Sequence, residues 1–239
     1  MRRAVLTFHS IDDSGAVLSF PPRSFARLID HFAKSGTPVV RFDELVNLEH
    51  GVTITFDDGM RSVHDRALPV LRHHGFPAHL FLATGSVGRD NSWPSPRETA
   101  ARFDMMSWDE VETCASHGVM IESHTVTHPD LRALTPAQIS DECEAADREI
   151  ERRTGRRPAL MAYPFGLFDD NVRRAVAPRY EGCFSTRLAY LDAKFSLSDI
   201  PRVDSYYLQP SVLHRRLFSV PVRRYVWLRS NIRRLRGIT

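Results

Sequence analysis

Apolar positions along the chain fall into two alternating patterns. Short runs rich in apolar and β-branched residues lie at 4–8, 38–41, 52–56, 78–83, 119–123, 159–163 and 182–186, each the length of a buried strand. Between them lie longer segments with helical spacing. Phe25, Leu28, Ile29 and Phe32 recur at i, i+3, i+4 and i+7 and stop before Gly36. A second helix is predicted over 61–74, closed by Gly75. Ser107-Trp108-Asp109-Glu110 and Thr135-Pro136-Ala137-Gln138 are capping-box patterns, and the helices they open should end near Gly118 and Gly155. A further helix fits 169–177. Strands alternating with helices predict a parallel sheet, and about seven strands suit a closed or nearly closed barrel. Residues 84–104 interrupt the alternation with Gly85, Gly88, Pro94 and Pro96. Such a long loop is either functional or disordered, and Trp93 and Phe103 within it are expected to shape a groove.

Composition narrows the class. The chain has 239 residues, 42% hydrophobic and 26% charged, which suits one folded domain and excludes disordered, collagen-like and coiled-coil chains. Three widely spaced cysteines form no disulfide framework and suggest a reducing compartment. The apolar run after Arg2-Arg3 is too short for a signal peptide, and no run is long enough to span a membrane. A cytoplasmic protein is the expectation.

The net charge of +3 is too small to predict nucleic-acid binding, but it is unevenly placed. Residues 205–239 hold eight arginines and no acidic residue, so residues 1–204 carry a net charge of −5. The tail mixes Leu213, Leu217, Phe218, Val222, Val226, Trp227, Ile232 and Leu235 with these arginines and predicts one or two basic amphipathic helices. Two readings are open. The tail is a solvated helix packed on the barrel, or it rests on an anionic membrane surface, the inner face for a cytoplasmic protein. The predicted division is a barrel over 1–204 and a basic extension over 205–239.

Candidate chemistry collects just after the predicted strands. His9 follows the first, Asp57 and Asp58 follow 52–56, His124 and His128 follow 119–123, and Tyr163 ends 159–163. In parallel α/β folds the carboxyl ends of strands share one rim, so these residues should converge. Adjacent carboxylates repel unless a cation or proton relieves them. A metal on Asp58 would leave Asp57 free as a base. Taken alone, Asp57-Asp58-Gly59 is also an ordinary turn with Asp57 capping the next helix. The i, i+4 histidines would share a face on one helical turn and suit Zn²⁺ or similar ions, or they are two loop histidines. Two histidines and one aspartate with open positions would make a catalytic rather than a structural site. The remaining histidines, His79 and His214 among them, read as surface or structural residues.

Thr55-Phe56-Asp57-Asp58-Gly59 and Ser123-His124-Thr125-Val126-Thr127-His128-Pro129 resemble the first two motifs of the polysaccharide deacetylases, carbohydrate esterase family 4, also called the NodB-homology domain. Met106-Ser107-Trp108-Asp109-Glu110 is similar to the segment preceding the second motif, and Ala162-Tyr163-Pro164-Phe165-Gly166 resembles the third. The resemblance covers roughly residues 4–204. It implies a distorted (β/α)7 TIM-like barrel, here with a basic C-terminal helical extension. It also implies a divalent metal, most often Zn²⁺ with Co²⁺, Ni²⁺ or Mn²⁺ as alternatives, and hydrolysis of N-acetyl groups from amino sugars. Carried over, Asp58, His124 and His128 are the metal ligands and Asp57 is the general base. Tyr163, next to Pro164, offers its backbone N–H to the oxyanion and its ring to the groove. The family's late Leu-x-His motif supplies the general acid, and His214 in the tail fits it poorly. A circularly permuted branch, similar to poly-N-acetylglucosamine deacetylases, carries that histidine on the first strand. Leu6-Thr7-Phe8-His9 matches this arrangement, so His9 is assigned as the acid. Ala162 stands where many members have arginine, and Arg202 is the candidate substitute for orienting Asp57. The alternatives are a deformylase or another amide hydrolase on the same metal, a non-catalytic carbohydrate- or membrane-binding module, and an iron oxygenase.

Overall fold

A computed structural model describes residues 2–93 and 101–235. Strand β1 (Arg2–Phe8) is followed by a small parallel pair, β2 (Ser10–Ile11) and β3 (Ser19–Phe20), and by helix α1 (Pro22–Ser35). Helix α2 (Phe42–Leu45) leads into β4 (His50–Asp58). A π-helical turn, Val63–Ala67, opens α3 (Leu68–His74), which leads to β5 (Ala78–Leu82). Then come α4 (Trp108–Ser116), β6 (Val119–Ser123), α5 (Pro136–Thr154), β7 (Leu160–Ala162), α6 (Asp170–Val176), β8 (Gly182–Leu188) and β9 (Ile200–Asp204). The tail forms α7 (Ser211–His214) and α8 (Val220–Leu235).

Strands β1, β4, β5, β6, β7, β8 and β9 pair in that order, all parallel, and form a closed barrel. It closes where Leu6 lies opposite Val203 and Thr7 opposite Asp204. This is a distorted (β/α)7 barrel. Its distortion lies at β8 and β9, where the register shifts between Phe184 and Leu188 and, among the described residues, no α-helix separates the two strands. The local signals act as their chemistry requires. Ser107 and Glu110 form a reciprocal cap on α4, as do Thr135 and Gln138 on α5. Gly36 ends α1 at φ 64°, the left-handed conformation that glycine adopts without strain.

One predicted strand is corrected. Residues 38–41 make only an isolated parallel bridge, Val39 to Val52, beside the lower half of β4 where β5 has not yet begun. The seventh barrel strand is instead β9. Pro201 inside it lacks a ladder donor and masks the strand in the sequence.

The barrel interior is layered. Near the start of β5, the buried His79 accepts from the Phe42 backbone N–H at Nε2 (3.1 Å) and meets Glu122 through Nδ1 (3.2 Å). The other Glu122 oxygen accepts the backbone N–H groups of Ala159 and Leu160, so this buried carboxylate is fully occupied. Above it, Val5, Phe81, Ala162, Phe184 and Ile200, from five different strands, form an apolar layer. A larger outer cluster joins the barrel to its helices. Leu208, Leu217, Val222 and Val226 of the tail belong to that same cluster, so the tail is packed on the barrel along one side.

His214 is part of this packing. It is 2% exposed, edge-on to Phe20, and among the described residues neither ring nitrogen has a hydrogen-bond partner. Burial, then the nearby charges of Arg215, His31 and Arg27, pushes its pKa down to about 4. An unfolded histidine titrates near 6.5, so on acidification the unfolded chain takes up this proton first. Stability from this group is therefore full above about pH 6.5 and is lost as pH falls toward about 4. His214→Phe is expected to remove that loss, on the order of 1–3 kcal/mol. Urea unfolding of both proteins at about pH 7 and about pH 4.5 checks it, and a wild-type–variant difference that stays constant between the two would contradict it.

Candidate metal centre and active site

The carboxyl ends of the barrel strands bring the candidate residues together. His9 follows β1, Asp57 and Asp58 are the last residues of β4, and His124 follows β6. Arg202 reaches the same place from β9. Successive strand residues point to opposite sides, so Asp57 and Asp58 cannot both face inward from a regular strand. The backbone resolves this at Asp58, whose φ is +75°, and the chain turns sharply through Gly59 at φ +101°. A side chain on Gly59 would collide with Leu82. Among the described residues the non-glycine positions with positive φ are Asp58, Thr125, His128 and Phe165, and all four lie at this rim. Backbone strain held in one place is a mark of a functional site.

Asp57 is buried and held by a two-pronged bond from Arg202, with Nη1 to Oδ1 at 2.6 Å and Nη2 to Oδ2 at 2.7 Å. The guanidinium also donates to Thr7 Oγ1 and to the Ser185 carbonyl, and it lies over the rings of Phe81 and Phe184. Burial would push the Asp57 carboxyl up, but Arg202 and then His9 outweigh it and hold the pKa below the usual carboxylate range. His9 Nε2 stands 3.9 Å from Asp57 Oδ2 with its side chain 21% exposed, so it faces the opening.

Asp58, His124 and His128 form a second group, all buried. The two Nε2 atoms are 3.1 Å apart, and they lie 3.4 and 3.6 Å from Asp58 Oδ1. Ligands about 2.0–2.1 Å from one tetrahedral ion would lie about 3.4 Å from each other. The donor chemistry agrees. His124 Nδ1 donates to the Ala162 carbonyl at 2.7 Å, which leaves the Nε2 lone pair aimed at the group. Burial and the neighbouring His124 hold the His128 pKa down to about 3, so its ring is neutral, the form that ligates. Burial pushes Asp58 up, yet the bond to His124 and the charges around it hold its carboxyl well below the usual range. Two imidazoles and a carboxylate at these separations fit one divalent cation.

The histidine pair is not on a helical turn as the i, i+4 spacing suggests. Residues 124–128 are a tight loop, with positive φ at Thr125 and His128. Glu142 of α5 holds that loop from behind. Its Oε2 accepts the N–H groups of Val126 and Thr127, both at 2.9 Å, and its Oε1 accepts the Thr127 hydroxyl at 2.7 Å. Trp93 and Phe165 pack on the His128 ring, each with centroids 4.4 Å away. Trp93 thus does line the site, while residues 94–100 of the long loop lie outside the described residues.

Tyr163 differs from expectation. Its N–H is bonded to the Phe184 carbonyl in the barrel ladder. Its ring is buried on Phe168, with the hydroxyl donating to the Ser198 carbonyl. Pro164 is likewise buried and opens a short turn. That turn swings Phe165 to the rim at φ +58°, where its ring packs on His128. Phe165, two residues after Tyr163, is therefore the aromatic that stands at the rim, carried there by the turn that Pro164 opens.

Residues 47–178, more than half of the chain, match the family model for polysaccharide deacetylase. The chain belongs to the polysaccharide deacetylase family. The Bacillus subtilis (strain 168) family protein YxkH is 27% identical over 179 residues, 72% of this chain and 59% of that one. The poly-beta-1,6-N-acetyl-D-glucosamine N-deacetylase of Staphylococcus aureus (strain MSSA476) is 26% identical over 69% of this chain and 54% of its own length. The chain thus spans between half and two thirds of these relatives. Among solved structures, IcaB from Ammonifex degensii superposes with a TM-score of 0.72 at 22% identity, over 90% of this chain and 97% of that chain. The Streptococcus pyogenes deacetylase PplD in complex with acetate gives 0.72 at 19% identity, over 85% of this chain and 92% of that chain. Both share this deacetylase fold.

Within this family member, Arg202 and Asp57 carry a clear stability test. Arg202→Met leaves a buried carboxylate unpaired and is expected to cost about 3–5 kcal/mol. Combining it with Asp57→Asn should recover a large part of that loss in urea unfolding. Equal losses in the single and double variants would contradict the pairing.

Proposed function

We propose that the protein is a metal-dependent hydrolase that removes N-acetyl groups from amino sugars of a polysaccharide. The observation that carries this reading is the pairing of two groups at one rim. One is a buried His-His-Asp set at ligand spacing, and the other is a separate, ionised Asp57 beside it. Family membership and the partial similarity to a poly-beta-1,6-N-acetyl-D-glucosamine N-deacetylase support the substrate class and make that polymer the first to assay.

Asp58, His124 and His128 would hold the cation. When bound, it supplies Lewis acidity toward the acetyl carbonyl oxygen and lowers the pKa of water. Asp57, kept ionised and oriented by Arg202, takes the proton of the attacking water. The Phe165 N–H donates to the developing oxyanion, a contact worth a few kcal/mol where the site excludes water. His9, on the open side of Asp57, delivers a proton to the leaving amine nitrogen, a contribution of about 10²–10⁴ in rate. Glu142 keeps the two histidines in register by holding their loop.

Asp57→Asn is expected to abolish acetate release and retain metal. His9→Ala should lose about 10²-fold or more in kcat with metal content unchanged. Substantial activity in the first variant, or metal loss in the second, would overturn the role concerned. Formate instead of acetate as product would move the reading to a deformylase on the same site. Glu142→Ala is expected to weaken Zn²⁺ binding by at least about tenfold in calorimetric titration of chelator-treated protein, with the fold retained by circular dichroism. Unchanged affinity would remove Glu142 from this role.

A further inference from the structure

We propose that α8 is a docking helix that rests the barrel on an anionic phospholipid surface. Val220, Arg224, Trp227, Leu228 and Leu235 recur along one side of the helix at i, i+4, i+7, i+8 and i+15, and all are exposed. Trp227 is 65% exposed and Leu228 51%, beside each other at the middle of this stripe. The opposite side is already used. Val222 and Val226 are buried, and Arg223 and Arg229 lie over the rings of Tyr190 and Tyr207. The outward apolar side chains are therefore not needed to hold the helix on the barrel.

Charge selects the occupant. Residues 205–239 carry eight arginines and no acidic residue, while the rest of the chain is net negative. An anionic surface attracts the helix and repels the barrel, so docking has one orientation. An apolar stripe with an indole at its centre, flanked by arginines, is the chemistry of a helix lying at the boundary of headgroups and acyl chains. The flank of α8 supports the same occupant. Between it and β8 runs a groove of about 870 Å³, lined by five arginines against Asp192 and Asp199, with Val226 and Trp227 in its wall. It extends to Gly166, Leu167 and Phe168, the turn that follows Phe165. A bilayer on α8 would thus lie alongside the catalytic rim, and an N-acetylated glycan at that surface would have a short path to the site.

The 239-residue protein sedimented with phosphatidylcholine vesicles, and with vesicles also containing phosphatidylglycerol, tests this without substrate or metal, so it stands or falls apart from deacetylation. The expected result is binding to the anionic vesicles alone, weakened by salt, with a blue shift in tryptophan emission that Trp227→Phe removes. Trp227→Ser with Leu228→Ser should abolish binding. Arg215→Glu, Arg216→Glu and Arg224→Glu, all at exposed positions, should each weaken it roughly fivefold or more. Equal binding to neutral vesicles, binding untouched by either set of variants, or a dimer in solution that Trp227→Ser dissolves would overturn the proposal.

Discussion

Two adjacent buried carboxylates set the terms for everything at the rim of this barrel. Asp57 and Asp58 end the same strand, and neither can stay ionised in a buried place without its own counter-charge. The chain separates the two problems. A left-handed turn at Asp58 aims one carboxylate at His124 and His128 and leaves the other facing inward to Arg202. Arg202 comes from the last strand and Asp57 from the second barrel strand, so their bond also ties together distant parts of the sequence across the interior. The aromatic layer of Phe81 and Phe184 beneath the guanidinium keeps water away from it. Barrel closure, backbone strain and charge neutralisation are thus one arrangement.

That arrangement explains what was legible in the sequence. The strand runs that end in Phe8, Phe56 and Ser123 could be read from periodicity, and a parallel fold forces their ends onto one rim. The sequence alone therefore places His9, Asp57, Asp58, His124 and His128 together. Arg202 was reachable because Ala162 leaves the expected arginine position vacant. Strand β9 itself was hidden by Pro201, and residues 38–41 took its place in the prediction because a run of apolar residues does not say whether it joins a closed ladder. Tyr163 and Phe165 show a similar limit. Which of two neighbouring aromatics reaches the site depends on a turn at Pro164, and no periodicity encodes that turn. Glu142 was invisible for another reason: its partners are backbone N–H groups of a loop that only the folded chain brings near.

The tail is the other place where sequence and structure say different things. Its basic, amphipathic character was readable, but amphipathic helices are expected to turn their apolar side inward. Here Val222, Val226, the half-buried Tyr225 and stacked arginines seat α8, and a tryptophan and three large aliphatic residues are exposed. The same charge asymmetry that leaves residues 1–204 net acidic makes the tail as a whole basic.

The central claim is that the cation and Asp57 are separate, cooperating parts of one hydrolytic site. Its most direct measurement is acetate release from poly-β-1,6-N-acetylglucosamine by chelator-treated protein during stepwise addition of Zn²⁺. The account predicts no release from the stripped protein and recovery that saturates at one equivalent of metal. Release that persists without metal, or tight binding of one equivalent with no release, would contradict it.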